Sequence, residues 1–298
     1  MRLATSSLTA TLIAQMQQLT TQQAMLQNQV SSGQRISQPG DDPVAVAHVV
    51  AAQMEQSALT QAGHNADAAL GASQNTFAAL TQFKSISDRV GEIGALGGGA
   101  IGTAGMQAYA QEVNQLIEQA VTTGNSSFDQ NHLFAGTASG TPPFTVTRDA
   151  AGQVTAVAYV GSATSASVPL GSGVTVQPTT DGATNAGLAT FMNRLVALRD
   201  SLQTGDSAAT QAAAAALPGS EDTIVGALSE QGAVQSRIQL TQTTQQSRLT
   251  ELAREVSAAA DTDLPSTIVR LNQSNQTYQA ALSASSKILN LSLLDYLH

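Results

Sequence analysis

The sequence predicts a mainly α-helical fold, an elongated antiparallel helical bundle or coiled coil of the N- and C-terminal segments with a small central β insertion. Three observations support this prediction. Apolar residues recur at alternating spacings of three and four near both ends of the 298-residue chain. The same helical period runs through most of the middle. Between residues 141 and 182 the period becomes strand-like.

The terminal segments carry the apolar stripes that predict an assembly interface. Residues 6–32 predict one helix, which ends at Ser31-Ser32-Gly33 because glycine favours a helix C-cap. Spacing that averages 3.5 residues keeps a stripe facing one partner helix. The predicted interface residues are Leu12, Met16, Leu19, Leu26 and Val30 near the start, and Ile268, Leu271, Tyr278, Leu282 and Leu289 near the end.

These terminal helices would bury few apolar side chains for the length of backbone that they order. We therefore expect them to become rigid when neighbouring copies or a partner cover them. The two terminal segments are interpreted as the parts of the chain that bind other molecules.

A polar turn precedes the second predicted helix. Asp42 is suited to the N-cap and Pro43 to the first helical position, and the carboxylates of Asp41 and Asp42 lie near the positive end of the helix dipole. This helix is predicted to run from Pro43 to about Ile93, with Val50 and Met54 on its apolar face.

A glycine-rich loop from Gly91 to Gly105 and a further helix that begins near Met106 are predicted next. The β insertion follows, with strands expected at residues 144–147, 154–160, 168–170 and 174–176. Helices return near Phe191 and in the alanine-rich residues 208–217. Pro218-Gly219 is interpreted as a stop before a long helix that runs from Glu221 to about Ala260.

Three domains are predicted from this order of elements. Residues 1–32 with 264–298 form a terminal coiled-coil assembly domain, residues 33–140 with 186–263 form a helical bundle, and residues 141–185 form the β insertion. The domains are therefore expected to be nested: the terminal domain and the helical bundle each combine a segment before the β insertion with a segment after it.

Composition excludes several classes of function. A net charge of −9 with only 12 lysines and arginines argues against binding to nucleic acid or to an anionic membrane. No apolar run reaches the roughly 20 residues of a membrane span, and the usual pattern of a secretory signal peptide is missing. Aromatic residues make up 3% of the chain, so the core is expected to rely on Leu, Val, Ile and Ala.

No group of residues predicts catalysis. The chain has no cysteine, and its four histidines show no zinc-ligand spacing. The acidic clusters at 41–42 and 261–263 lack the oxygen ligands of a calcium loop. The glycines from Gly91 to Gly99 lack the lysine of a phosphate-binding loop. The sequence predicts a protein that is not an enzyme and has no cofactor, metal or catalytic residue.

Two neighbouring motifs follow the first predicted helix. They are Ser31-Ser32-Gly33-Gln34-Arg35-Ile36 and Pro39-Gly40-Asp41-Asp42-Pro43. Together they resemble the signature near the start of the flagellin superfamily of the bacterial flagellum. Pro43 directly after two aspartates resembles its hook-filament junction members, the hook-associated protein 3 family. Gln34 and Gly40 depart from the Lys and Ser that are common there. The other matching segments are Leu133-Phe134-Ala135-Gly136, Pro143-Phe144, Tyr278-Gln279-Ala280-Ala281-Leu282 and Ser292-Leu293-Leu294-Asp295-Tyr296-Leu297.

The resemblance implies a structural subunit at the hook-filament junction of the extracellular flagellum. It implies export through the flagellar type III pathway by an uncleaved N-terminal signal, with an export chaperone bound beforehand. The implied neighbours are further copies of the chain in a ring, hook-associated protein 1 on the hook side, and flagellin on the filament side. Two alternatives are a minor flagellin that builds the filament itself and a secreted coiled-coil adhesin or effector.

Overall fold

The computed structural model describes the backbone of residues 2–99, 101–171 and 173–294, and the side chains of residues 10–287 within those ranges. The chain divides into two compact units. Unit 1 takes residues up to Ser57 and from Arg248 onward, and unit 2 spans Ala58–Ser247. These boundaries differ from those of the three predicted domains, which remain a prediction.

Helices make up most of the described chain, and the predicted mainly helical fold with a small central β insertion is confirmed. The insertion lies between the third and fourth helices. The helices are α1 (Arg2–Ser32), α2 (Pro43–Gly97), α3 (Thr103–Gly124), α4 (Gly182–Thr204), α5 (Ser207–Ala215), α6 (Pro218–Ala260) and α7 (Leu264–Leu294).

The insertion consists of antiparallel hairpins. They pair β1 (Ser127–Phe128) with β2 (Asn131–His132), β3 (Phe144–Arg148) with β4 (Val154–Tyr159), and β5 (Val168–Pro169) with β6 (Thr175–Val176). The last four strands match the predicted positions closely. The first hairpin was not predicted because its turn residues, Asp129 and Gln130, adopt the left-handed conformation (φ 48° and 65°) without the usual Asn-Gly sequence.

Two asparagines flank the β3–β4 hairpin and bond to its main chain on both sides. Asn125 donates from Nδ2 to the oxygen of Phe144 on β3 and accepts from its nitrogen, each at 2.9 Å. Asn193 on α4 donates to the oxygen of Val157 on β4 at 2.7 Å and accepts from its nitrogen at 2.9 Å. Each side-chain amide therefore takes the place that a neighbouring strand would occupy.

The core of unit 2 contains a cluster of phenylalanines among mostly aliphatic side chains. Phe83 is fully buried and meets Phe134 edge-on at 6.0 Å and Phe191 at 6.3 Å between ring centroids. Phe144 packs against Tyr159 at 5.6 Å. Ala, Leu, Ile, Val and Met supply the other buried residues of this core, as the composition predicts, and the few aromatic residues are concentrated at one place within it.

The predicted loop over Gly91–Gly105 is wrong for its first part, because α2 continues to Gly97. A Cβ on Gly94 would lie 2.7 Å from the Cβ of Ala214, and one on Gly97 would lie 2.6 Å from Cδ2 of Leu202. These glycines let α2 approach α4 and α5 closely, so the packing offsets their low helix propensity.

The predicted stop at Pro218-Gly219 lies a few residues too late, since α5 ends at Ala215 and α6 already begins at Pro218. Proline suits the first turn of a helix. Its backbone nitrogen carries no hydrogen, and an amide at that position would have no acceptor within the helix. The amide of Glu221 donates to the oxygen of Leu217, which closes the first turn of α6.

Candidate assembly interface

In unit 1, α1 and α7 lie side by side, and the predicted stripe on α1 faces α7. Leu26 is buried, with 7% of its surface exposed. The other stripe residues are half-buried while the rest of the helix is mostly exposed. The residues on this inner face are Leu12, Met16, Leu19, Gln23, Leu26 and Val30.

Polar contacts define the antiparallel pairing. Gln23 donates from Nε2 to the main-chain oxygen of Ser274 at 3.1 Å. Nearer the start of α1, the hydroxyl of Ser285 lies 3.9 Å from the sulfur of Met16. The buried residues on the inner face of α7 are the polar Thr267 and Ser274. Its members are Thr267, Leu271, Ser274, Tyr278, Ala281 and Ser285.

The predicted stripe on α7 divides between two environments. Leu271 and Tyr278 are half-buried on the inner face, whereas Ile268 and Leu282 leave 44% and 43% of their surfaces exposed. Leu264, at the start of the helix, is exposed as well. At 100° per residue, the exposed apolar positions lie roughly 70° around the helix from the inner face. Leu289 lies outside the residues whose side chains are described.

The helix pair carries almost no charge. Between residues 3 and 32 the sequence of α1 has no charged residue, and α7 carries only Arg270 and Lys287. The pair therefore presents apolar and neutral polar groups to its surroundings, so a neighbouring surface that covered it would have few charges to desolvate.

The turn before α2 is ordered by its two aspartates. The Oδ1 atom of Asp42 accepts from the amide of Ala45 at 3.0 Å, which satisfies a free amide in the first turn of α2. The Oδ2 atom of Asp41 accepts from the amides of Ser37 and Gln38, each at 2.9 Å. Pro43 is the first residue of the helix.

Arg35 connects this turn to the end of α6. Its guanidinium donates to Oδ2 of Asp42 at 3.2 Å and to the main-chain oxygen of Ala259 at 2.8 Å. The pKa of the Asp42 carboxyl is lowered, first by the hydrogen bond from Ala45 and then by that from Arg35. The contacts of Arg35 were not predicted, since nothing in the sequence indicates which distant carbonyl an arginine reaches.

An apolar groove of about 690 Å³ lies in unit 1 between the first turns of α2 and the last turns of α6. Its apolar lining includes Val49, Ala52, Leu252 and Val256. Val50 and Met54 were predicted on the apolar face of α2, but both are exposed in the structure, Met54 with 68% of its surface.

A bidentate ion pair joins α2 to α6 beside this groove. Nε and Nη2 of Arg248 lie 2.8 Å and 3.0 Å from the two oxygens of Glu55. The hydrogen bond from Arg248 lowers the pKa of Glu55. The acidic groups of the groove wall are thereby partly neutralised within the chain.

Within the ranges that the structure describes, no group of three His, Cys, Asp or Glu side chains could hold a metal ion. None of the helices in the same ranges combines the length and apolar character of a membrane span. The features that stand out in unit 1 are surfaces that could pack against another protein.

Comparison with known proteins gives one family match. Residues 4–139 match the family described as the bacterial flagellin N-terminal helical region. They extend from α1 through α2 and α3 to the loop after β2. No curated protein matches the chain.

Solved structures share the fold at low identity. A flagellar hook-associated protein from Vibrio parahaemolyticus is 17% identical, with a TM-score of 0.65 over 74% of this chain and 100% of that chain. FlgL from Bacillus cereus is 16% identical, with a TM-score of 0.59 over 71% and 100%. The flagellar junction protein FlgL from Legionella pneumophila is 12% identical, with a TM-score of 0.53 over 72% and 100%.

Proposed function

We propose, on the premise that this chain carries the flagellin N-terminal helical region, that it is a structural subunit of the bacterial flagellum at the junction between hook and filament. The match over residues 4–139 and the fold shared with junction proteins support this proposal. The subunit works by helix-to-helix assembly and catalyses no reaction.

The observation that carries the proposal is the placement of apolar residues on α7. Ser274 and Thr267 are buried against α1, while Leu282 and Ile268 are exposed. Leu271 and Tyr278 also lie on the inner face, but a helix that only stabilised its own chain would place Leu282 and Ile268 inward as well. The exposed residues are therefore proposed to be covered in the assembled state by another copy or by an adjoining flagellar protein.

The proposed neighbours follow from this surface and from the family. Copies of the chain form a ring through α1 and α7, with hook-associated protein 1 on the hook side and flagellin on the filament side. The chain is secreted to the extracellular flagellum, and an export chaperone binds it beforehand. The predicted interface residues and the three-part domain division belong to this proposal.

A deletion strain tests the function. Cells without the gene are expected to assemble hooks without filaments and to release flagellin into the medium, and the wild-type gene is expected to restore filaments. Electron microscopy of the cells and immunoblots of the medium provide the measurements. Normal filaments on the deletion strain would refute the proposal.

A second experiment separates the proposed junction subunit from a filament flagellin. The purified chain is incubated alone and examined by electron microscopy. We expect no long filaments, because a junction layer ends after a limited number of subunits. Micrometre filaments of the pure protein would instead indicate a flagellin.

A further inference from the structure

We infer that Arg35 is a positioning residue that fixes the angle between the α1–α7 pair and the adjoining parts of α2 and α6 within unit 1. The inference rests on the proposed function, because the angle matters only if α1 and α7 meet neighbouring subunits. It assigns a role to one side chain in the turn between α1 and α2.

The first support is the set of main-chain bonds around Arg35. Its amide donates to the oxygen of Ala260 at 2.7 Å, and its own oxygen accepts from Nε2 of Gln29 at 2.9 Å. Nearby, the amide of Thr262 donates to the oxygen of Gly33 at 2.9 Å. The residues that follow α1 are thus bonded to those that link α6 to α7, at the same end of the helix pair.

The second support is the position of the guanidinium between two helix ends. The oxygen of Ala259 belongs to the last turn of α6, whose carbonyls carry partial negative charge and which contains no basic residue of its own. Asp42 is the N-cap of α2. Arg35 therefore supplies the cation that the end of α6 lacks and is held by the carboxylate that begins α2.

The exposure of the Arg35–Asp42 ion pair indicates that Arg35 mainly restricts geometry and adds little to stability. The side chain of Arg35 is 45% exposed and that of Asp42 is 34% exposed. Ion pairs with this exposure contribute little to folding free energy. A fork of planar donors nevertheless restricts the directions in which its acceptors can lie. The contact between residues 33–42 and residues 259–263 is called the joint. Replacing Arg35 should loosen this joint without unfolding either unit.

The first test measures the joint in the full-length protein. The chain has no cysteine, so Gln22→Cys on α1 and Gln53→Cys on α2 can carry spin labels without background. Double electron–electron resonance should give a narrow distance distribution for the otherwise unchanged chain and a broader one for Arg35→Gln. Arg254→Gln, which removes an equal charge from the exposed surface of α6, is the matched control and should leave the distribution narrow.

Amide exchange gives an independent readout. Exchange in residues 33–42 and 259–263 should be about tenfold faster in Arg35→Gln, because the hydrogen bonds from the guanidinium to Asp42 and Ala259 are lost. Exchange around Phe83 should not change. Arg35→Lys keeps the charge but cannot reach Asp42 and Ala259 together as a planar fork, so it should restore the distances only in part.

The variants are then expressed in the deletion strain. Arg35→Gln should be secreted at the wild-type level but should form fewer filaments, and Arg254→Gln should restore them fully. A distance distribution unchanged by Arg35→Gln, or a broadened one with normal filament number, would overturn the inference. Filaments on the deletion strain itself would instead refute the proposed function, whatever the distances show.

Discussion

Leu271 and Leu282 lie about three turns apart on α7 and within about 20° of each other around its axis, yet they differ in exposure. Leu271 is half-buried on the face toward α1, whereas Leu282 leaves 43% of its surface exposed. Both residues were assigned to one assembly stripe from sequence spacing. In the structure, Leu271 belongs to the pairing of α7 with α1, whereas Leu282 belongs to a surface that is open to another molecule.

This separation predicts different results for two aspartate substitutions. Leu271→Asp places a charge at the face toward α1 and should weaken the α1–α7 pair by about 2 kcal/mol, so that amide exchange in residues 12–30 accelerates. Leu282→Asp should leave that exchange unchanged and abolish filament formation when expressed in a deletion strain. Gln276→Asp, at an exposed site elsewhere on α7, is the control and should preserve both properties. Normal filaments with Leu282→Asp would exclude the exposed stripe from the interface.

The glycines of α2 predict opposite effects for two identical substitutions. Gly94→Ala would place a Cβ 2.7 Å from the Cβ of Ala214 and should destabilise unit 2 by about 1 to 3 kcal/mol. Gly91→Ala meets no atom within 4 Å and should stabilise the helix by up to about 1 kcal/mol. Urea unfolding followed by circular dichroism measures both. Equal shifts in the same direction would contradict the close packing of α2 on α5.

Phe83 should be one of the most sensitive positions in unit 2. Its side chain is fully buried and contacts both Phe134 and Phe191, so Phe83→Ala removes these ring contacts and leaves a cavity. We expect a loss of about 3 to 5 kcal/mol in the free energy of unfolding. Phe77→Ala, at a partly exposed position on the same helix, is the control and should cost much less. The thermal midpoints of the two variants provide the comparison.

An ion pair between α3 and the β3–β4 hairpin predicts a pH dependence. Nη2 of Arg148 lies 2.8 Å from Oε2 of Glu118, and this hydrogen bond lowers the pKa of the Glu118 carboxyl in the folded chain. Because the folded pKa is below the unfolded one, the pair stabilises the fold above the ordinary glutamate pKa of about 4.3 and loses this effect as the pH falls through the folded value.

Glu118→Gln should therefore lower the urea midpoint slightly at pH 7, and its difference from the wild-type chain should shrink as the pH falls below the ordinary glutamate pKa of about 4.3. Glu230→Gln, at an exposed position on α6, is the control and should show a smaller difference at pH 7. A difference for Glu118→Gln that grew as the pH fell would contradict the sign of the pKa shift.

Sequence periodicity predicted α1 and the later strands well because those elements depend on local patterns. The stripe from Leu12 to Val30 coincides with the face of α1 that contacts α7. The start of α2 was predicted for the same reason, since Asp42 caps the helix and Pro43 begins it. In each case the residues that determine the element are neighbours in the sequence.

The parts that sequence could not predict depend on distant residues. Gly94 and Gly97 resemble loop residues until Ala214 and Leu202 are brought against them. The inner face of α7 is set by its contact with α1, so Ser274 is buried and Ile268 is exposed although apolar periodicity favours the reverse. Arg35 reaches Ala259, which is more than two hundred residues away. These relationships arise from tertiary packing, which overrides local propensity.

Asn125 and Asn193 limit how closely spaced copies of the chain can pair through the β3–β4 hairpin. A two-stranded ribbon ordinarily offers unpaired amides and carbonyls to any extended peptide that comes near, and closely spaced copies could fuse through them into a continuous ladder. Here the positions beside Phe144 and Val157 are already occupied by side-chain amides. Molecules held side by side at high local concentration thus find no free template at these positions, which leaves helical surfaces to determine how they stack.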